Sequence, residues 1–320
     1  MTDLETDLPL SASGSAGDRS FGPEEAPYAE LRWTRRHGIA AHGYDLVPGV
    51  PRQLDPCVTR LIAPNPGVMT GPGTNTYLVG KRQLALIDPG PEDARHVQAI
   101  LAAGAGRIRW ILCTHTHLDH ASAAATIKRM TGAQLAGLSA PDTVHDGKLS
   151  LDRVLMDGDT VDLDGLALRA IHTPGHASNH FCFLLEETRM LFTGDHIMQG
   201  STVVIWPPDG NMRAYLQSLT RLLELPLDIL APGHGYLIGQ PHEVARRLIR
   251  HRLSREGKVR LALPAHGGAT LETLLPHVYD DVAAMLHPIA ARSLQAHLDK
   301  MIEDGEVLCT DGRYGRKIAP

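Results

Sequence analysis

The stretch RWILCTHTHLDHASAAATIKRM, residues 109–130, decides how the chain is read. An apolar run ending at Cys113 breaks off at a polar, His-rich turn, and an Ala-rich segment follows, which reads as buried strand, loop and helix. Loops at the carboxyl ends of strands are where α/β folds gather functional side chains, and a helix start favours anionic ligands there. Within this loop stand His115, His117, Asp119 and His120, four potential metal ligands in six residues. Imidazole and carboxylate suit zinc, iron or manganese, and alternating His residues in an extended loop can converge on one ion. A lone HxH pair would be weak; this cluster is much stronger. Further on come His176 in TPGHASNH, Asp195 in LFTGDH and His234 in LAPGHG, each ending an apolar run or sitting in a Gly-rich turn. The glycines permit sharp turns and close approach of backbone to a site. Five His and two Asp are enough for two ions with open positions left over.

Outward from this loop, the short apolar runs TYLVG (76–80), LALID (84–88), FCFLL (181–185), MLFTGD (190–195) and DILAPG (228–233) read as further buried strands. Helical patterns lie between them at 92–103, 120–131 and 211–224, the last with Met212, Leu216, Leu219 and Leu223 on one face. Strands mixed with helices imply a layered α/β domain over residues 31–240. From residue 241 to 320 the pattern is a basic helix, a second helix near 270–279, a Pro-interrupted third with Ile289, Leu294, Leu298 and Met301 at helical spacing, and a terminal hairpin with DG and YG turn signals. Helices followed by a hairpin suggest a winged helix. Residues 1–30 hold seven acidic side chains against the single Arg19 and read as a solvated tail.

The bulk numbers fit a cytoplasmic protein of one large and one small domain. The net charge of -5 excludes indiscriminate coating of nucleic acid or anionic membrane. Cys57, Cys113, Cys182 and Cys309 form no CxxC pair and read as reduced thiols. The start MTDLETDLPL lacks the features of a signal peptide, and no run of apolar residues is long enough for a membrane span.

HxHxDH followed by a His, an Asp and a final His resembles the metallo-β-lactamase superfamily, and all seven positions are filled in order. The resemblance implies an αββα sandwich, of class α/β, with a dinuclear centre at one edge of its two sheets. It implies that His115, His117 and His176 hold one ion, that Asp119, His120 and His234 hold the other, and that Asp195 bridges them. Asp119 and Asp195 are then the carboxylates of the catalytic centre. Two zinc ions are expected, with iron or manganese as alternatives, and a bridging hydroxide at pH 7 is the implied nucleophile. Asp88 would stand behind the ligands and orient the HTHLDH loop, unless it merely caps a turn. His172, His180 and His196 are read as structural neighbours rather than ligands.

For the substrate, GPGTNTYLVG (71–80), the TPGH, TGDH and PGHG segments, and RHRLSREGKV before a winged end are similar to the β-lactamase-like protein 2 family over about residues 55–320. Its best-known members are endoribonucleases that prefer single strands, and its carboxy-terminal module narrows the approach to the metals. Read by itself, GPGTNTYLVG is a turn feeding a strand. Residues 241–320 carry twelve Lys and Arg against ten Asp and Glu, whereas the remainder has a net of -7. Arg246, Arg247, Arg250, Arg252, Arg255, Lys258 and Arg260 crowd one helix, as a phosphate-contacting track or as a solvated face. Aromatic residues are too few for an obvious base-stacking platform. The chain departs from some relatives in having Asn179 just after TPGH, and QGSTVVIWPPDG (199–210) sets Trp206 where it would border the pocket. An apolar wall there suits an acyl group as well as a nucleobase. The expectation is a metal-dependent hydrolase of an ester-like or phosphodiester bond, with single-stranded RNA as one substrate and small acyl thioesters, in the manner of glyoxalase II, as the alternative. A nucleic-acid-binding regulator with a structural metal is the third reading, weakened because structural zinc sites are usually closed by four ligands. The winged helix is expected to shape the mouth of the site or to form a homodimer contact, with no membrane partner.

Overall fold

Strands that are apolar on both sides require cover on both faces, and the fold supplies it in four layers. The computed structural model describes residues 46–141, 149–264 and 268–317, so the acidic tail expected over residues 1–30 lies outside them. The first sheet has seven strands in chain order: β1 (Arg52–Asp55), β2 (Val58–Ile62), β3 (Asn75–Gly80), β4 (Leu84–Ile87), β5 (Ile108–Leu112), β6 (Gln134–Gly137) and β7 (Arg153–Val154). Pairing is antiparallel from β1 to β4 and parallel from β4 to β7. The second sheet comprises β8 (Thr160–Asp162), β9 (Ala167–His172), β10 (Phe181–Leu185), β11 (Met190–Gly194) and β12 (Ile229–Pro232); only the β11–β12 pair is parallel.

Side chains alternate along each strand, and the alternation divides the core. Tyr77, Val79, Ala85, Ile87, Phe181, Phe183 and Phe192 meet between the sheets. Leu78, Leu84 and Leu86 point the other way, onto α1 (Ala94–Gly104), α2 (Leu118–Ala121) and α3 (Ala124–Thr131). Cys182, Leu184 and Leu191 likewise meet α4 (Met212–Leu222) and the start of α5 (Pro241–Ala262). FCFLL reads as a continuous apolar run because its odd and even positions fill two different cores.

Two helices depart from the sequence expectation. The pattern over 120–131 is broken between α2 and α3, where Ala123 N–H donates to the Gly90 carbonyl and His120 accepts from Gly90 N–H. That pair of bonds ties the loop after β4 to the ligand loop. On α4 the buried face is Met212, Tyr215, Leu219 and Leu222, with Leu216 only flanking it. Tyr215 takes the face because its ring fills the core while its hydroxyl donates to the His196 carbonyl at 3.1 Å.

The second half of α5 joins α6 (Leu271–Val278), α7 (His287–Glu303) and the hairpin β13 (Val307–Thr310) and β14 (Arg313–Arg316). Val259, Leu263, Leu274, Val278, Leu294, Leu298, Met301, Val307 and Tyr314 form its core. Ala269 pairs with Tyr314 beside the hairpin, completing a small winged helix. No helix among the described residues is long and apolar enough to cross a membrane.

Candidate metal centre

All seven expected ligands converge at one edge of the sandwich, because each follows the carboxyl end of a strand. His115 to His120 follow β5, His176 follows β9, Asp195 follows β11 and His234 follows β12. Four side chains therefore come from the first sheet and three from the second. Backbone space is tight there. A Cβ on Gly233 would lie 2.7 Å from His120 and 2.8 Å from Asp195, so only glycine lets β12 approach this closely.

The ligand atoms fall into three overlapping groups, each within 4.8 Å: His115, His117 and His176; Asp119, His120 and His234; and His115, His120 and Asp195. In the first, His117 Nδ1 is 2.8 Å from His115 Nε2 and 2.9 Å from His176 Nε2. In the second, His234 Nε2 is 3.3 Å from Asp119 Oδ2, and His120 Nε2 is 3.5 Å from the same oxygen. Asp195 lies between the groups, its Oδ1 at 3.3 Å from both His120 and His234 and its Oδ2 at 3.7 Å from His176.

The outer nitrogens of these rings decide whether the set fits a metal. Thr114 donates its hydroxyl proton to Asp88 at 2.8 Å, so at 3.0 Å His115 Nδ1 must be the donor to Thr114 Oγ1. His120 Nδ1 donates to Asp88 Oδ2 at 2.8 Å, His176 Nδ1 to the Val204 carbonyl at 2.7 Å and His234 Nδ1 to the Gly73 carbonyl at 3.3 Å. With their outer protons committed, four rings turn bare Nε2 lone pairs inward. His120 Nε2, His234 Nε2 and Asp195 Oδ1 are buried with no hydrogen-bond partner. Converging lone pairs and carboxylates need a positive charge among them, and the donor set fits divalent cations.

The electrostatics point the same way. Burial, reinforced by the His120 and His117 rings, holds His115 well below the usual imidazole value, and burial takes His176 down to about 4. Burial acts against His234 too, but the Asp195 and Asp119 carboxylates, each 3.3 Å from its Nε2, push it up to about 9. For His120, burial is outweighed by Asp119, Asp195 and Asp88, which raise it well above its ordinary value. The carboxylate side of the centre thus demands a proton, or an ion in its place.

Asp88 sits behind the loop and accepts from Thr114 N–H at 2.7 Å as well as from Thr114 Oγ1 and His120. Three further supports carried no signal as site residues. Asn75, in the segment read as a turn feeding a strand, donates its side-chain amide to the carbonyls of Pro232 and Gly235 on either side of His234. Gly73 and Val204 act through their carbonyls, which any residue could supply. Asn179 joins the loop to its neighbour by donating to Thr116 Oγ1 and the Leu138 carbonyl, both at 2.9 Å. His172, His180 and His196 belong to none of the three ligand groups; His172 meets the Ser178 carbonyl and His180 the Thr173 hydroxyl.

The basic helix is largely neutralised from within. Arg252 and Arg255 are buried, Arg255 on Asp281; Lys258 meets Asp280 and Asp281, and Arg260 meets Glu306 and Glu256. Arg247 and Arg250 share Glu243, while Arg246 is exposed.

Comparison with known proteins agrees with this geometry. The family model described as metallo-β-lactamase superfamily matches residues 69–234, and that of the β-lactamase-associated winged helix domain matches residues 270–315. The chain is 32% identical to an atrochrysone carboxyl ACP thioesterase of Aspergillus fumigatus, over 82% of this chain and 86% of that one. It is also 32% identical to a β-lactamase-like protein 2 homolog of Caenorhabditis elegans, over 80% and 87% respectively. A β-lactamase domain protein from Burkholderia ambifaria shares the fold with a TM-score of 0.73, at 21% identity over 85% of this chain and 96% of that one.

Proposed function

The chain belongs to the metallo-β-lactamase superfamily of hydrolases and carries the winged helix associated with it, and on that premise we propose that it hydrolyses a thioester of an apolar acyl group. The observation that carries this reading is the make-up of the loops around the centre. Leu118, between His117 and Asp119, is 62% exposed; Trp206, two residues after the Val204 carbonyl that holds His176, is 57% exposed. Tyr236, just after His234, and Val68 and Met69, in the loop leading to Gly73, are exposed as well. Isolated apolar surface residues are ordinary, but five on the loops that carry the ligands and their supports give those loops an exposed apolar character that suits an acyl chain. The neutralised basic helix offers little to a phosphate backbone. That a relative is named a thioesterase supports the same class.

In this reading His115, His117 and His176 would hold one divalent ion and Asp119, His120 and His234 another, with Asp195, which lies near both groups, available to either. When bound, such ions supply water acidified to near neutrality and polarise the carbonyl. Asp119 is the more accessible carboxylate, its side chain 29% exposed against 10% for Asp195, and would be the one placed to accept a proton from the attacking water. Asp195, buried between both ligand groups, keeps them in register. The exposed apolar side chains of these loops would receive the acyl chain, and a thiolate leaves readily because thiols are far more acidic than alcohols or amines.

The test is release of free thiol from acyl-glutathione and acyl-coenzyme A thioesters by the zinc-loaded chain, with Asp119→Ala as control and a single-stranded RNA oligomer as competing substrate. Thioester turnover lost in Asp119→Ala is the expected result. Cleavage of the RNA with no thioester turnover would overturn the proposal in favour of a nuclease.

A further inference from the structure

Ser293 on α7 and Arg252 on α5 belong to the winged-helix side of the molecule, yet both reach the segment Val203–Trp206. Ile205 N–H donates to Ser293 Oγ at 3.3 Å, and Arg252 Nη2 donates to the Val203 carbonyl. The Arg292 guanidinium, next to Ser293, lies over the Trp206 ring. Between the two backbone anchors, the Val204 carbonyl accepts the Nδ1 proton of His176 at 2.7 Å.

The Val204 carbonyl and the Ile205 N–H are the two ends of one peptide group, which is planar and rigid. Ser293 therefore grips one end of the plane whose other end fixes the tautomer and ring angle of His176. Arg252 holds the carbonyl of the preceding peptide, so the strap is restrained on both sides of its contact with the ring. Both anchors are shielded from water: Arg252 is 3% exposed and Ser293 6%. The Arg252 guanidinium also stacks on buried Tyr215, with 5.3 Å to the ring centre, which limits its freedom to move. A hydroxyl on the buried face of α7, among Ala290, Leu294 and His297, has no packing advantage over alanine.

We propose that Ser293 and Arg252 are positioning residues for His176, so that the winged helix tunes one half of the metal centre through the 203–206 strap. The proposal rests on His176 being a metal ligand. Partners that orient ligating imidazoles are typically worth 10–100-fold in metal affinity, and the relay through one peptide places Ser293 at the low end, about tenfold.

The experiment is titration of the metal-stripped full chain with Zn2+ against a chromophoric chelator, with Co2+ absorption spectra alongside. Wild type, His176→Ala, Ser293→Ala, Ser293→Thr and Arg252→Lys are compared. His176→Ala should abolish one of two binding equivalents. Ser293→Ala should weaken that same equivalent about tenfold and shift its Co2+ bands, leaving the other unchanged. Ser293→Thr should restore it, and Arg252→Lys, which keeps the charge but shortens the reach, should weaken it as well. Wild-type affinity for both ions in Ser293→Ala and Arg252→Lys, or equal weakening of both, would overturn the proposal whatever happens to thermal stability. If Ser293→Ala does not fold, Arg252→Lys is read by the same criterion. If His176→Ala keeps both equivalents, the ligand assignment itself has failed, which a defect confined to the strap would not produce.

Discussion

Asp88 adopts a left-handed backbone conformation, with φ of 50°, and from it accepts hydrogen bonds from Thr114 N–H, Thr114 Oγ1 and His120 Nδ1. Asparagine tolerates that backbone, so Asp88→Asn removes the charge and part of the accepting capacity without adding strain. Its affinity for Zn2+ should fall about 10–100-fold with the fold retained, measured by chelator competition and circular dichroism; undiminished affinity would show that Asp88 only caps the turn. The thiols offer a separate check. Burial pushes Cys57 and Cys182 up to about 12 and Cys113 well above its ordinary value, while Cys309 is exposed. At pH 8 a maleimide should label one site per native chain, and none in Cys309→Ser, by intact mass. The seven converging residues were legible because their types and spacing carry chemistry in the chain itself. Thr114, Asn75 and Val204 were not, since they contribute a hydroxyl, an amide and a carbonyl whose targets lie across the fold.

Within α5, reading basic side chains as one track overlooked the helical period. Arg252, Arg255 and Glu256 fall on the same stripe as Val244, Leu248 and Val259, and that stripe is buried. Glu256, 1% exposed, lies 3.1 Å from Lys300 and 3.5 Å from both Arg260 and His297, joining α5 to α7. Burial alone would raise its carboxyl, but the His297 and Lys300 contacts prevail and hold it below the usual glutamate value. A carboxyl depressed in the folded state stabilises the fold above its unfolded value and loses that contribution as pH falls through the folded one. Glu256→Gln should therefore cost about 1–3 kcal/mol at pH 7 and less at pH 3, by urea unfolding at the two values. An equal loss at both would mean that shape, not charge, matters there. Elsewhere the long apolar runs declared their strands, whereas β7 and β8, of two and three residues, are too short to show a period. The break between α2 and α3 depends on Gly90, distant in sequence, and could not be read locally.

Across the whole molecule, the two sheets meet twice: through the aromatic layer of Tyr77, Phe181, Phe183 and Phe192, and at the edge where His115, His117, Asp119 and His120 face His176, Asp195 and His234. A cation held at that edge would join one sheet to the other, so its binding would be coupled to folding. Stripping the metal with a chelator should lower the melting temperature by roughly 5–10 °C, and Zn2+ should restore it in wild type but only partly in His176→Ala. The layered α/β class was readable from alternating strand and helix patterns and the αββα order from the resemblance carried by the HTHLDH motif, but which core each strand face serves became visible only once the sheets were paired. The most direct test of the centre is the metal content of the purified, zinc-loaded chain by elemental analysis, beside His117→Ala. Close to two ions per chain, falling by about one in the variant, is the expected result; less than one ion per wild-type chain would contradict the metal centre on which the account is built.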